Sequence, residues 1–172
     1  MTIELVKYPE ETDWILCKRI TLGTVGKDSL KPPSSDLKHN LLKARHSPIR
    51  TLQYYFLLKD IPYWVSVHLC RHVHALPFVK TQRTDRTGID RTKLPQDSPV
   101  NMWFVVNAEE LQVIANKRLC KMASEQTRDV VFKMCQLAEE ATPELKGLLV
   151  PMCVRNGGIC YEINGGCKRN DL

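Results

Sequence analysis

The chain has no run of about 18 or more apolar residues, so no segment reads as a membrane-spanning helix. It has no glycine-rich phosphate loop: neither GxGxxG nor GxxxxGK followed by Ser or Thr occurs. Any nucleoside-phosphate site must therefore be built from side chains. Its start, MTIELVKYPE, lacks the basic and apolar regions of a secretory signal, which leads us to expect an intracellular, cytoplasmic protein. Aromatic residues make up only 7% of the chain, too few near the basic stretch to stack a nucleic-acid polymer. Internal repeats and low-complexity segments are also lacking, and 172 residues suit a single domain spanning 1–172.

What is present is positive charge and cysteine. The net charge is +6 and the isoelectric point about 9.0, which suits an anionic partner. Residues 71–93 carry Arg71, Lys80, Arg83, Arg86, Arg91 and Lys93 against Asp85 and Asp90, a surplus of four charges in one window. Such concentration suits a compact phosphate-bearing ligand. The seven cysteines are an odd count without a signal peptide, so free thiols or a metal site are expected, not a disulfide framework.

Periodicity predicts an α+β fold, a small mixed or antiparallel sheet flanked by helices. TIELVKY alternates as a strand, residues 12–22 read as a short helix, and GKDSLKPPSSD as a connecting loop. IRTLQYYFLLK (49–59) reads as a buried strand, and a helix is expected over about 62–75, begun by Pro62 and ended by Pro77. VNMWFVV (100–106) is a strand running into a helix whose Asn107 and Glu110 predict an N-cap and capping box. A further helix over about 123–141 is closed by Pro143, and residues 150–172 form a short Cys-rich tail.

Arg71, Arg83, Arg91 and Arg118 form a phosphate clamp if they converge, since guanidinium forks bind phosphate bidentately; otherwise they are four surface arginines. His68 and His72 have the spacing of two metal ligands on one helix face, and equally of hydrogen-bonded core histidines. Cys153, Cys160 and Cys167 recur at equal spacing, which allows a zinc site or free thiols. Cys70, beside Arg71 and His72, is either an activated nucleophile or a small packed residue.

CRHVHALPFVKTQR (70–83) resembles the signature of the flavin-dependent thymidylate synthases: an Arg-His-Arg triplet, seven residues, then Ser and shortly afterwards Arg. RHSPIRTLQYYFLLKDIPYWVSVHLC upstream, and DRTKLPQ followed by the NAEELQVIANKR helix downstream, are similar to that family's flanking elements, so the resemblance covers roughly 44–167. It implies a homotetramer in which FAD and dUMP meet at subunit interfaces. It also implies that NADPH reduces the flavin, that methylenetetrahydrofolate supplies the one-carbon unit to C5 of the pyrimidine, and that no enzyme nucleophile is needed. By the same resemblance Arg71 lies close to both nucleotide and flavin, His72 on the flavin side, and Thr81 in place of the signature serine. Arg83 binds the phosphate, Arg91 contacts the nucleotide, Asn107 and His46 approach the flavin, His68 stands where a glutamine lies beside the ring, and Arg118 polarises the pyrimidine edge. His68 and Arg118 are thereby the expected catalytic pair.

Departures from the pattern fall on one side. Val73 replaces the triplet's second arginine, Glu109 replaces the arginine of Asn-Ala-Arg, Val113 replaces a polar flavin contact, and the segment between Arg83 and Arg91 is shorter. Three readings remain: C5 methylation of dUMP with FAD, flavin-independent hydroxymethylation of dUMP or dCMP from methylenetetrahydrofolate, and a non-catalytic nucleotide-binding protein on the same scaffold.

Overall fold

The computed structural model describes residues 1–163 together with 166 and 167. Its centre is a four-stranded sheet with the order β1 (Thr2–Lys7), β2 (Gln53–Pro62), β4 (Pro99–Asn107), β3 (Ala75–Val79). Every pairing is antiparallel, so the expected α+β class holds. Around it lie α1 (Glu11–Gly23), α2 (Ser35–Lys43), α3 (Tyr63–Cys70), α4 (Thr84–Thr87), α5 (Ala108–Arg118), α6 (Glu125–Ala141) and α7 (Met152–Arg155). No described helix is long and apolar enough to cross a membrane.

Alternation decides which side of the sheet is core. Tyr54, Phe56 and Leu58 of β2 and Met102, Phe104 and Val106 of β4 are fully buried. They pack with Leu111 and Ile114 of α5 and Val130, Val131 and Met134 of α6. The Tyr54 hydroxyl donates to Thr142 Oγ1 at 3.1 Å, so the one polar atom on this central tyrosine is satisfied. Leu76, Phe78 and Trp103 point to the other side and stay 59%, 60% and 42% exposed.

Several boundaries differ from the sequence reading, each for a local reason. The stretch 49–59 opens with a 3-10 turn (Ser47–Thr51) that has Pro48 in its first positions, and the strand begins only at Gln53. Ile49 and Leu52 are still fully buried, so their core signal was real, but Ile49 sits on the 3-10 backbone and Leu52 is the extended C-cap that follows it. Helix α3 stops at Cys70, not near residue 75, because Ala75–Val79 pairs with β4. Pro77 sits inside this strand, which an edge strand tolerates because only one side is paired. Helix α2 starts within what reads as connector, where the Ser34 side chain caps it by accepting from Leu37 N–H. Helix α6 matches the expected span closely.

Phe104 lies at the middle of the central pairing, opposite Phe56 and Pro77. Phe104→Ala should lower the unfolding free energy by about 3–5 kcal/mol in urea titration.

Candidate functional site

Two ends of secondary structure meet beside the sheet. The C-cap of α3 is Arg71, followed by His72, and the last turn of α5 carries Lys117 and Arg118. His72 is 8% exposed and bonded at both ring nitrogens. Nδ1 lies 3.1 Å from Glu110 Oε1, and Nε2 accepts from Arg118 Nε at 3.1 Å. Arg118 Nη2 also donates to the His68 carbonyl at 2.8 Å, tying α5 to α3. The His68 ring lies 3.1 Å from Thr127 Oγ1 on α6 and meets Trp64 edge-on at 5.3 Å.

Burial and surrounding cations keep these histidines neutral. Burial first, then Arg118, Arg71 and Lys117, lower His72 from its ordinary 6.5 to about 4. His68 is also lowered, by burial and then by Arg118 and Arg71. Burial, with Arg71 second, lowers Arg118 as well. Burial raises Glu110.

Arg71, His72 and Lys117 separate two adjoining cavities. One, of about 390 Å³, adds Arg118, Cys120 and Met122. The other, of about 490 Å³, adds Arg50, Val73, Asn107, Glu109, Glu110 and Val113. Three of the departures from the family pattern, Val73, Glu109 and Val113, therefore line one cavity. There the Arg50 guanidinium forms an ion pair with Glu109. Asn107 accepts from Glu110 N–H at 2.9 Å, the expected N-cap. The reciprocal half of the capping box is absent: the Glu110 carboxylate turns inward to His72 instead.

Thr81, Arg83 and Arg91 line a third cavity of about 480 Å³ with Tyr63, Lys80 and Thr92. Thr81 Oγ1 accepts from Arg83 N–H at 3.2 Å. The Arg83 guanidinium is held bidentately by Asp85, at 3.0 and 2.8 Å. The four arginines of the expected clamp thus fall into two groups within one chain, Arg71 with Arg118 and Arg83 with Arg91.

Other expectations fare differently. His68 and His72 do not share a helix face, because α3 ends between them. His46 is exposed at the N-cap of the 3-10 turn and lines none of these three cavities. Cys153, Cys160 and Cys167 do not gather into a metal site: no cluster of three His, Cys, Asp or Glu able to hold a metal exists among the described residues. Cys153 sits in α7, whereas the Cys160 thiol packs where a Cβ on Gly166 would come within 2.7 Å. Cys70 has its thiol raised by burial, the opposite of nucleophile activation. Glu110, Arg50, Lys117, Tyr63 and Thr127 escaped sequence reading. Only Glu110 carried a signal there, and it pointed to capping.

No protein-family model and no curated protein matches this sequence. Solved structures do match. Flavin-dependent thymidylate synthase ThyX from Helicobacter pylori, complexed with FAD and dUMP, superposes with a TM-score of 0.69 at 16% identity, over 87% of this chain and 100% of that one. A second structure of that enzyme with the same ligands gives 0.69 at 14%, over 87% and 99%. The UMP/dUMP methylase PolB from Streptomyces cacaoi, bound with 5-Br dUMP, gives 0.66 at 17% identity, over 83% and 92%. At these identities the likeness is one of fold.

A pH dependence follows from His72. Its folded value of about 4 lies below the ordinary 6.5, so the unfolded chain binds a proton that the folded chain refuses. Stability from neutral His72 is therefore full above pH 6.5 and lost as pH falls toward 4. Glu110, raised by burial, has the opposite sign above its ordinary 4.5. Urea unfolding of wild type against His72→Gln isolates the histidine: wild type should lose more stability than the variant across that window.

Proposed function

We propose that the protein binds a pyrimidine deoxynucleoside monophosphate, with dUMP the first candidate, and transfers a one-carbon unit to C5 of its base. The observation that carries this reading is Arg118, fixed at its Nε and Nη2 by His72 and His68 against a cavity that Arg71 also lines. The solved neighbours support it, since all three were crystallised with dUMP or its 5-bromo analogue.

In this reading the guanidinium donors of Arg118 and Arg71 face the pyrimidine carbonyl edge. Negative charge that gathers there as C5 attacks an electrophile is stabilised by donors already in place. Neutral His68 beside Arg118 is the second expected catalytic group. Arg83, Arg91, Lys80 and Thr81 take the phosphate. Because the two arginine groups line different cavities, one nucleotide is expected to be held by two copies of the chain, consistent with a homotetramer. The exposed strip Leu76, Phe78 and Trp103 gives such copies an apolar surface to bury.

Methylenetetrahydrofolate is the one-carbon donor in this proposal. A methyl product also needs a hydride, which FAD reduced by NADPH would supply. Val73, Glu109 and Val113 weaken the fit of the 490 Å³ cavity to the FAD pyrophosphate, although His74 and Asn107 also line it. The Arg50 guanidinium is paired with Glu109, Val73 and Val113 offer no donor, and Arg71 and Lys117 are shared with the nucleotide cavity. That wall favours a second reading, hydroxymethylation. There C5 bonds to the methylene carbon and gives up its proton, both methylene–nitrogen bonds to tetrahydrofolate break as those nitrogens take up protons, and water supplies the hydroxyl, with no net change of redox state. A nucleotide-binding protein without turnover is the remaining alternative.

Purified protein incubated with dUMP and methylenetetrahydrofolate separates these readings. A 5-hydroxymethyl product without flavin supports the second. Turnover to dTMP only with FAD and NADPH restores the flavin reading. Binding without product leaves the third, and no binding by calorimetry defeats all three. Arg83→Ala should weaken dUMP binding by about 1.5–3 kcal/mol. Asp85→Asn should strengthen it by up to about 1 kcal/mol, since an exposed ion pair must be exchanged for the phosphate.

A further inference from the structure

The hydrogen bonds around His72 contain more information than its location. Arginine Nε carries a hydrogen and no acceptor lone pair at any working pH. At 3.1 Å from Arg118 Nε, His72 Nε2 must therefore present its lone pair. The single ring proton then resides on Nδ1, where Glu110 Oε1 accepts it at 3.1 Å. A doubly protonated His72 would set two donors head to head and add a cation beside Arg118, Arg71 and Lys117. The short contact between Glu110 and His72 is thus a neutral imidazole donating to a carboxyl group, not an ion pair.

Glu110 is only 6% exposed. It sits in the first turn of α5, where the helix dipole favours a carboxylate. Arg118 is on the last turn of the same helix. Among the described residues, the ring of His72 links their side chains. Without an acceptor at Nδ1, the ring is free to move its proton to Nε2, which turns its lone pair away from Arg118 and its N–H toward it.

We propose that Glu110 is a positioning residue of the nucleotide site: by accepting the Nδ1 proton of His72 it keeps the Nε2 lone pair that orients Arg118. The role in nucleotide binding rests on the function proposed above; the proton arrangement does not. The charged and titratable groups around His72 are Glu110, Lys117 and Arg118 from α5 and Arg71 from the end of α3, with Glu109 and His74 lining one adjoining cavity and Glu162 the other.

The test is ¹⁵N-histidine and ¹⁵N-arginine NMR of the full chain, with the His72 signal assigned by its loss in His72→Gln. Wild type should show His72 as the Nδ1–H tautomer and neutral from pH 8 to about 5, above its lowered value. A slowly exchanging Arg118 Nε–H should accompany it. An Nε2–H tautomer, or titration near 6.5, overturns the proposal. Glu110→Gln, whose amide oxygen still accepts, should retain the tautomer, the Arg118 signal and dUMP affinity to within about twofold. Glu110→Leu should shift the tautomer, release the Arg118 signal and weaken dUMP binding about tenfold. Unchanged affinity in a folded Glu110→Leu with its tautomer shifted refutes the positioning role. If Glu110→Leu does not fold, the wild-type tautomer and its pH course decide. If the tautomer is as expected and wild type binds no dUMP, the nucleotide reading fails while the proton arrangement stands.

Discussion

Arginine has only donors to offer, and Arg118 is partly buried where two helices end, so its N–H groups need acceptors from the protein. One comes from the His68 carbonyl, freed at the last turn of α3, and one from the ring of His72 just beyond it. These bonds set how α3 ends against α5. They also explain why α3 is short, since a helix continued through residue 75 would carry His72 out of line with Arg118. From His68 the polar chain runs on through Thr127 to Ser124, which donates to Thr127 at 2.8 Å, and so reaches the start of α6. Three helices are registered through one set of polar contacts beside an otherwise apolar core.

Much of the fold was legible because the core is alternating and simple. β1, the central strand β4, α5 and α6 follow directly from apolar spacing and from the Asn107 cap. Residues 49–51 misread because Ile49 carries a core pattern on a 3-10 backbone, and a pattern of burial does not distinguish the two. Residues 71–79 misread because Pro77 looks like a helix terminator, whereas edge position makes it acceptable in a strand. Of the expected site residues, Arg71, His72 and Arg118 line one cavity, and Arg71, His72 and Asn107 the adjoining one. Glu110 was not legible, because a glutamate three residues after an N-cap has a local partner in sequence, and only the fold reveals a better one at His72.

The two arginine groups are managed in opposite ways. Arg71 and Arg118 stand near neutral histidines, with burial lowering the charge-bearing tendency of both rings, in a cavity that Lys117 and Glu162 also line. Arg83 lies on the surface and is clasped by Asp85. Between them, Arg50 and Glu109 neutralise each other across the wall that also holds Val73 and Val113. The Arg50–Glu109 pair thus neutralises part of one cavity, Asp85 holds Arg83 in another, and Arg71 and Lys117 line both cavities that flank His72.

Pro77 also bears on what the open edge of the sheet can do. A free sheet edge normally offers a row of donors and acceptors to any passing strand, the usual route to open-ended aggregation. At the midpoint of β3 the donor is missing, and the flanking Leu76 and Phe78 project from the sheet face beside Trp103. Edge-to-edge extension is therefore interrupted while face-to-face burial remains attractive. Association of that kind closes on itself, because covering the apolar face leaves no repeat of it exposed.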